Sequence, residues 1–333
     1  LTDAPATPRH RLPRVRIVVI GATGQLGRAI VDALLAGGHG VVGVSRRGGH
    51  GFQHPSYAEA RLDVTRAAPA DLARILDGAD AVVQAVGADD RERPPRPARR
   101  FFETELVAPT RLIADSVRIA RVPRLVVLGS YFSTVARAHP EWGLVARHPY
   151  VDAREAQWRE AVRLAPEAAV TVLEIPFVFG TVEGRAPLWC DTYLAPLRRG
   201  PVAFTLPGGT SATTAEDVAL AAVAAATGAS PAGRHPVCTD NVSHRQLAQW
   251  ALAEWHRDVP LLTLPHGILT GSLLAEKARL RLSGKESGLE QVGLARLLSE
   301  DLHLDPLASA RTFGTTPRSL EDSARETFRA ARA

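Results

Sequence analysis

The sequence predicts an α/β protein: a doubly wound parallel sheet of about seven strands, with a smaller C-terminal lobe. Three observations predict it. Short β-branched runs alternate with helical segments from residue 16 to residue 240, the order that winds a parallel sheet. The stretch RIVVIGATGQLGRAI, residues 16–30, sets glycines at 21, 24 and 27 between such a run and an amphipathic segment. After residue 180 the alternation gives way to irregular sequence containing Pro and Gly.

Taken in order, Ile17 to Ile20 run without a polar break, which suits a strand covered on both faces. From Gln25 the apolar residues Leu26, Ile30, Val31, Leu34 and Leu35 fall at helical spacing, predicting a helix over 25–36. In the turn between them, Gly21 permits a tight bend, Gly24 lets a pyrophosphate approach the backbone, and Gly27 lets helix and strand pack closely. The N–H groups and positive dipole end of the helix start favour phosphate. Further strands are expected at GVVGVS (40–45), EARLDV (59–64), DAVVQAVG (80–87), RLVVLGS (124–130), VTVLEIPFVFG (170–180) and HPVCTD (235–240). Helices are expected near 70–76, 101–120, 150–164 and 215–227, the last opening on a cap-like Thr. The charged run DDRERPPRPARR (89–100) reads as an exposed, mobile loop. The expected organisation is a flexible tail over 1–14 and a Rossmann-type domain over 15–180 plus 212–240. A substrate lobe over 181–211 plus 241–333 closes over the carboxyl ends of the strands, where ligands sit in open α/β sheets.

Composition narrows the function. The 333 residues are 45% hydrophobic, enough for a sizeable core. Lys+Arg number 40 against 35 Asp+Glu, a net charge of +5, and the two signs are interspersed. That is not the basic stripe of a nucleic-acid binder. Two cysteines, Cys190 and Cys238, make neither a disulfide framework nor a metal-ligand spacing. LTDAPATPRHRLPR lacks the apolar centre of a secretory signal, and VALAAVAAATG (218–228) is too short to span a bilayer. The expectation is a cytoplasmic protein with a small-molecule substrate and no metal, nucleic-acid or membrane partner.

From about 15 to 325 the chain resembles the short-chain dehydrogenase/reductase superfamily, in the extended or atypical branch that holds NAD(P)-dependent epimerases, dehydratases and reductases. GATGQLG resembles the family's glycine loop, and the resemblance implies that Gly21, Thr23, Gly24, Gln25, Leu26 and Gly27 contact the cofactor. Asp63 and Val64 resemble the adenine-side segment, and Ala85, Val86 and Gly87 the ribose-side turn. VLEIPFVFG resembles the RPxxVYG strand, placing Pro176 and Phe177 near the nicotinamide. AEDVALAAVAA and FGTTPRSLED resemble the family's later helix and closing stretch. PYVDAR resembles the catalytic YxxxK box, with Tyr150 in place and Arg154 where the family has lysine. GSYFST leaves Ser130 or Ser133 as the catalytic hydroxyl. Two further departures are Glu174 for the arginine of RPxxVYG and Leu106 near the place of the family's structural asparagine. By analogy a homodimer would pack through the helices at 101–120 and 150–164.

The end of the second strand reads Ser45, Arg46, Arg47, with no carboxylate for a ribose 2′-hydroxyl and two forks suited to a 2′-phosphate. NADP(H) is therefore expected over NAD(H). The resemblance implies that Tyr150 is the acid/base, its pKa lowered by a neighbouring cation. Arg154 lies one helical turn away on the same face and supplies that charge. His148 is a lesser, auxiliary candidate. The expected function is an NADP(H)-dependent oxidoreductase acting on a small carbonyl or hydroxyl compound. Two alternatives stand beside it. One is a sugar-nucleotide epimerase or dehydratase with tightly held cofactor, for which Arg198, Arg199 and Arg281 are candidate diphosphate clamps. The other is a catalytically inert NADP-binding sensor.

Overall fold

The computed structural model describes residues 15–49 and 51–332, so the expected tail at 1–14 lies outside the described residues. Its strands are β1 (Arg16–Ile20), β2 (Gly40–Ser45), β3 (Tyr57–Arg61), β4 (Ala81–Gln84), β5 (Arg124–Ser130), β6 (Ala169–Ile175), β7 (Phe177–Phe179), β8 (Ala203–Thr205), β9 (Gly209–Thr214), β10 (Gly233–Pro236), β11 (Asp240–Ser243), β12 (Leu261–Thr263) and β13 (Asp301–Leu302). Seven form one sheet in the order β3-β2-β1-β4-β5-β6-β10, every pairing parallel. This is the Rossmann-like architecture expected from the alternation.

Both faces of this sheet are covered, which is why β1 carries no polar break. Ile17 and Val19 face a core shared with Val31 and Leu34 of the helix at 25–36 and Val218 of the helix at 215–227. Val18 and Ile20 face the opposite core, with Leu72, Ile113 and Val117 from the helices at 69–76 and 108–119. Each such fully buried side chain contributes about 1.5–3 kcal/mol. Strand order reverses between β1 and β4, and the crevice outside their carboxyl ends is the place such sheets offer a ligand.

Several expected elements end elsewhere. The strand expected at 170–180 divides at Pro176, which has no N–H to continue a ladder. β6 stays in the main sheet, while β7 pairs β9 of a second sheet with β11 and β13. The strand expected at 235–240 is β10, at 233–236, and the chain then enters β11. The strands expected at 59–64 and 80–87 occupy 57–61 and 81–84. The helix expected at 101–120 is interrupted by a π-turn at Glu103–Val107, where the Ala108 N–H reaches back to the Glu103 carbonyl. Pro109 explains it: with no N–H to offer the Glu105 carbonyl, the ladder shifts register.

The segment at 89–100 is not the free loop expected. Arg96 N donates to Gly284 O (3.0 Å), Glu286 N to Pro94 O (3.0 Å), and Ala98 N to the Glu286 carboxylate (2.7 Å). Its backbone groups find partners on the C-terminal lobe, so the segment is tied down. No helix among the described residues is long and apolar enough to cross a membrane. No cluster of residues among them could hold a metal ion. Cys190 and Cys238 are free and buried.

Candidate site at the carboxyl ends of the strands

A cavity of about 830 Å³ opens where β1, β4, β5 and β6 end, and the lobe closes its far side. Its floor begins with the glycine loop. Gly21 sits at φ +92°, and a Cβ there would meet the Ala85 carbonyl oxygen at 2.7 Å. A Cβ at Gly27 would lie 2.1 Å from the Gly21 carbonyl oxygen. The fold itself therefore demands both. Gly24 is different: its added Cβ would meet only Gly21 O, at 3.3 Å. Its smallness serves an approach from outside the fold. The helix that follows has no side-chain cap and no acid in its first turn. Gln25 Nε2 is buried there without a partner. Bare N–H groups, a positive dipole end and an unpaired amide suit the phosphates of a dinucleotide.

Gly24, Gln25 and Leu26 line the cavity, joined by Ala85, Val86 and Gly87 after β4 and by Pro176 and Phe177 after β6. Ser130, Tyr150 and Arg154 line it too. Other expected residues stand apart from this lining. Gly21 and Gly27 shape the turn from behind, and Thr23 is exposed on it. Ser45 is buried and accepts a hydrogen bond from Gly48 N (3.0 Å), while Arg46 and Arg47 are exposed at the end of β2. Asp63 accepts from Thr65 N (3.0 Å) and Thr65 Oγ1 (2.7 Å), and these bonds, with the charge of Arg46, hold its carboxyl below the usual range. Val64 is buried beside it. Ser133 is also outside the lining: it is buried, and its hydroxyl bonds the Glu155 carboxylate.

Tyr150 opens the helix at Pro149–Leu164, which two contacts from the lobe hold in place. Tyr150 N donates to Gly288 O (3.0 Å), and Glu290 N donates to His148 Nδ1 (2.8 Å). His148 is fully buried, lies outside the cavity lining and serves as this pin. The Tyr150 ring packs edge-on to Phe102 (5.5 Å) and Phe132 (6.4 Å). The Arg154 guanidinium lies 5.0 Å from its centroid. Burial raises the phenol's pKa above its ordinary value. Arg154 lowers it, and the charges of Asp90 and Asp89 raise it further. The expected cationic lowering is thus present but outweighed by burial, and Tyr150 is a protonated acid at neutral pH.

Arg154 is held by a buried polar chain. Its Nη1 donates to Leu128 O (3.0 Å) and Gln157 Oε1 (2.8 Å), and its Nη2 to Ala88 O (3.3 Å). Gln157 Nε2 donates to Thr110 Oγ1 (2.9 Å) and to Leu106 O (3.3 Å), the latter in the π-turn. Gln84 Nε2 also donates to Thr110 Oγ1 (2.9 Å). Glu174, fully buried, binds Arg137 (2.6 Å) and Arg234 (2.8 Å), and Arg234 also binds Glu155. The acid at the family's arginine position thus brings its own two cations.

Sequence reasoning also missed Asp89, Asp90 and Arg91, which line the cavity. Arg91 Nε and Nη2 both bond the Asp89 carboxylate. Burial and the charge of Asp89 push Asp90 well above the usual carboxylate range. No pattern in the run DDRER signals this. Gln157 did have a signal, standing three residues from Arg154 on one helix face.

Residues 21–167 match a family model described as NAD(P)H-binding. No curated protein matches the chain in sequence. Among solved structures, gox2253 aligns over 96% of this chain and 98% of its own with TM-score 0.74 at 18% identity. The Bordetella bronchiseptica enzyme WbmH, solved with NAD+, aligns over 96% and 99% with TM-score 0.68 at 15% identity. The UDP-N-acetylglucosamine 4-epimerase from Bacillus cereus aligns over 96% and 100% with TM-score 0.64 at 12% identity. These likenesses establish a shared fold. With the NAD(P)H-binding match, they support the resemblance to the extended short-chain dehydrogenase/reductases.

Proposed function

We propose that this chain is an NADP(H)-dependent oxidoreductase that interconverts a carbonyl and a hydroxyl group on a small molecule. The observation that carries the reading is convergence. The uncapped helix start at Gly24–Leu26 and the residues Ser130, Tyr150 and Arg154 all line one cavity. A bound nicotinamide supplies or accepts the hydride. Tyr150 Oη gives its proton to the carbonyl oxygen in reduction and takes it back in oxidation. Burial keeps that proton on Tyr150 until it is needed, and the Arg154 charge offsets the phenolate left behind. Ser130 holds the substrate oxygen. Arg46 and Arg47, exposed at the end of β2, take the 2′-phosphate.

The test is direct titration of the protein with NADPH and NADH, followed by NADPH oxidation across a panel of aldehydes and ketones. NADPH is expected to bind at least tenfold tighter and to be consumed. A protein that binds neither dinucleotide overturns the reading. A second reading, internal redox by an epimerase or dehydratase, is supported by the epimerase among the similar structures. It requires cofactor that survives purification and no net NADPH consumption.

A further inference from the structure

The cavity has two chemically different ends. Ser130, Tyr150 and Arg154 stand at the end reached by the glycine loop. The lobe-side wall is built from Trp189, Leu197 and Phe204, while Leu294, Leu297 and Leu302 pack in the same apolar cluster as Tyr150. Two polar pairs on that side are engaged with each other. Tyr193 Oη bonds His244 Nδ1 (2.8 Å), and Tyr131 Oη bonds Thr210 Oγ1 (3.2 Å). Burial holds His244 down to about 4, so it is neutral and no cation.

We propose that the substrate is an apolar carbonyl or alcohol compound, its reacting carbon beside Tyr150 and its hydrocarbon body in the lobe-side end, rather than a sugar nucleotide. This deepens the oxidoreductase reading and rests on it. A diphosphate buried here would need cations, because burying unpaired charge is strongly unfavourable. Among the described residues, the cavity's cations are Arg91, Arg93 and Arg154. Arg91 is engaged by Asp89, Arg93 by Glu276 (3.1 Å), and Arg154 by two carbonyls and Gln157, which leaves only Nη1 of Arg91 and Nε of Arg154 buried without a partner. Asp89 and Asp90, also in the lining, bring the cavity no further cation. The lobe arginines considered as a clamp lie elsewhere. Arg198 bonds Asp191 (3.2 Å) and Ala331 O (2.9 Å), and neither Arg199 nor Arg281 lines the cavity.

The mouth carries the same chemistry outward. Leu188 (77% exposed) and Phe204 (42%) belong to the cavity lining yet meet solvent. Leu262 (51% exposed) pairs directly with Phe204 across β12 and β8. An apolar rim continuous with an apolar interior fits a molecule that arrives with hydrocarbon surface of its own.

The experiment uses the full chain. Straight-chain methyl ketones from four to ten carbons are assayed with NADPH. The corresponding alcohols are tested for displacement of the neutral probe N-phenyl-1-naphthylamine without cofactor. Each added methylene is expected to raise both kcat/KM and displacement affinity about fourfold until the cavity fills. UDP-glucose and UDP-N-acetylglucosamine should neither displace the probe nor be turned over. Phe204→Ser, at an exposed position, should flatten the chain-length dependence while NADPH binding persists. A flat series, or displacement by either UDP-sugar, overturns the proposal. Chain-length-dependent displacement without NADPH turnover sustains the apolar site and overturns the oxidoreductase reading instead.

Discussion

At the scale of single residues, the cavity separates what a side chain does from what its position requires. Tyr150→Phe removes one hydroxyl and little volume, and Phe102 and Phe132 still pack its ring. NADPH affinity should stay near wild type while turnover falls about 10²–10⁴-fold, the range for a general acid. Unchanged turnover on a working substrate would remove Tyr150 from the chemistry and direct attention to Ser130. At the other end of the cofactor, a charge-assisted phosphate bond is worth about 1.5–3 kcal/mol. Arg46→Ala should therefore weaken NADPH about tenfold or more and leave NADH nearly untouched, as read by titration calorimetry. Equal losses for both would refute the assignment of the 2′-phosphate to Arg46. The positions of the glycines and of Tyr150 were legible because each is set locally, by a turn and by a helix start. Asp90 was not, because its burial comes from walls built far away in sequence.

At the scale of elements, the helix at 149–164 works through the neighbours it pins. Gln157 ties Arg154 to Thr110 and to the π-turn carbonyl of Leu106. Gln157→Leu keeps the volume but frees one Arg154 contact and strips partners from buried groups, costing about 1–3 kcal/mol. If Gln157 positions Arg154, kcat should drop about tenfold with the KM for NADPH unchanged. A fall in stability alone would make it a packing residue only. On the same helix, Glu155 shares Arg234 with Glu174. Glu174→Leu leaves two guanidiniums facing one carboxylate. Urea unfolding should show a loss of about 3 kcal/mol, the low end for a broken buried pair, because Arg137 is partly in solvent. The interruption at 103–107 had a visible cause in Pro109, but a proline alone does not say whether the turn before it breaks, kinks or shifts register. The break at Pro176 was equally visible as a residue. Its consequence, a switch to a second sheet, depends on β9, whose sequence GTSATT has no apolar run to announce it.

At the scale of the whole molecule, the Rossmann half follows from alternation, whereas the lobe is assembled from two- to six-residue strands drawn from distant segments. Periodicity cannot register pieces that short. Two histidines are buried in or against that lobe: His148 accepts from Glu290 N, and His244 bonds Tyr193. Burial depresses both from the ordinary 6.5 to about 4. The unfolded chain takes up protons at these histidines as pH falls below 6.5, while the native fold refuses them until about 4. Stability is therefore full above that upper value and declines as pH falls through the window, by up to about 3 kcal/mol for each histidine. Asp90, with its raised pKa, takes up protons in the native state and opposes the trend. The comparison that isolates the effect is His148→Asn, whose Oδ1 can stand in for Nδ1 as the acceptor from Glu290 N and which does not titrate. Unfolding free energy measured from pH 7 to pH 4.5 should fall less steeply for the variant than for the wild type. Parallel curves would mean that His148 is protonated in the folded protein, and that the pin between helix and lobe does not depend on a neutral ring.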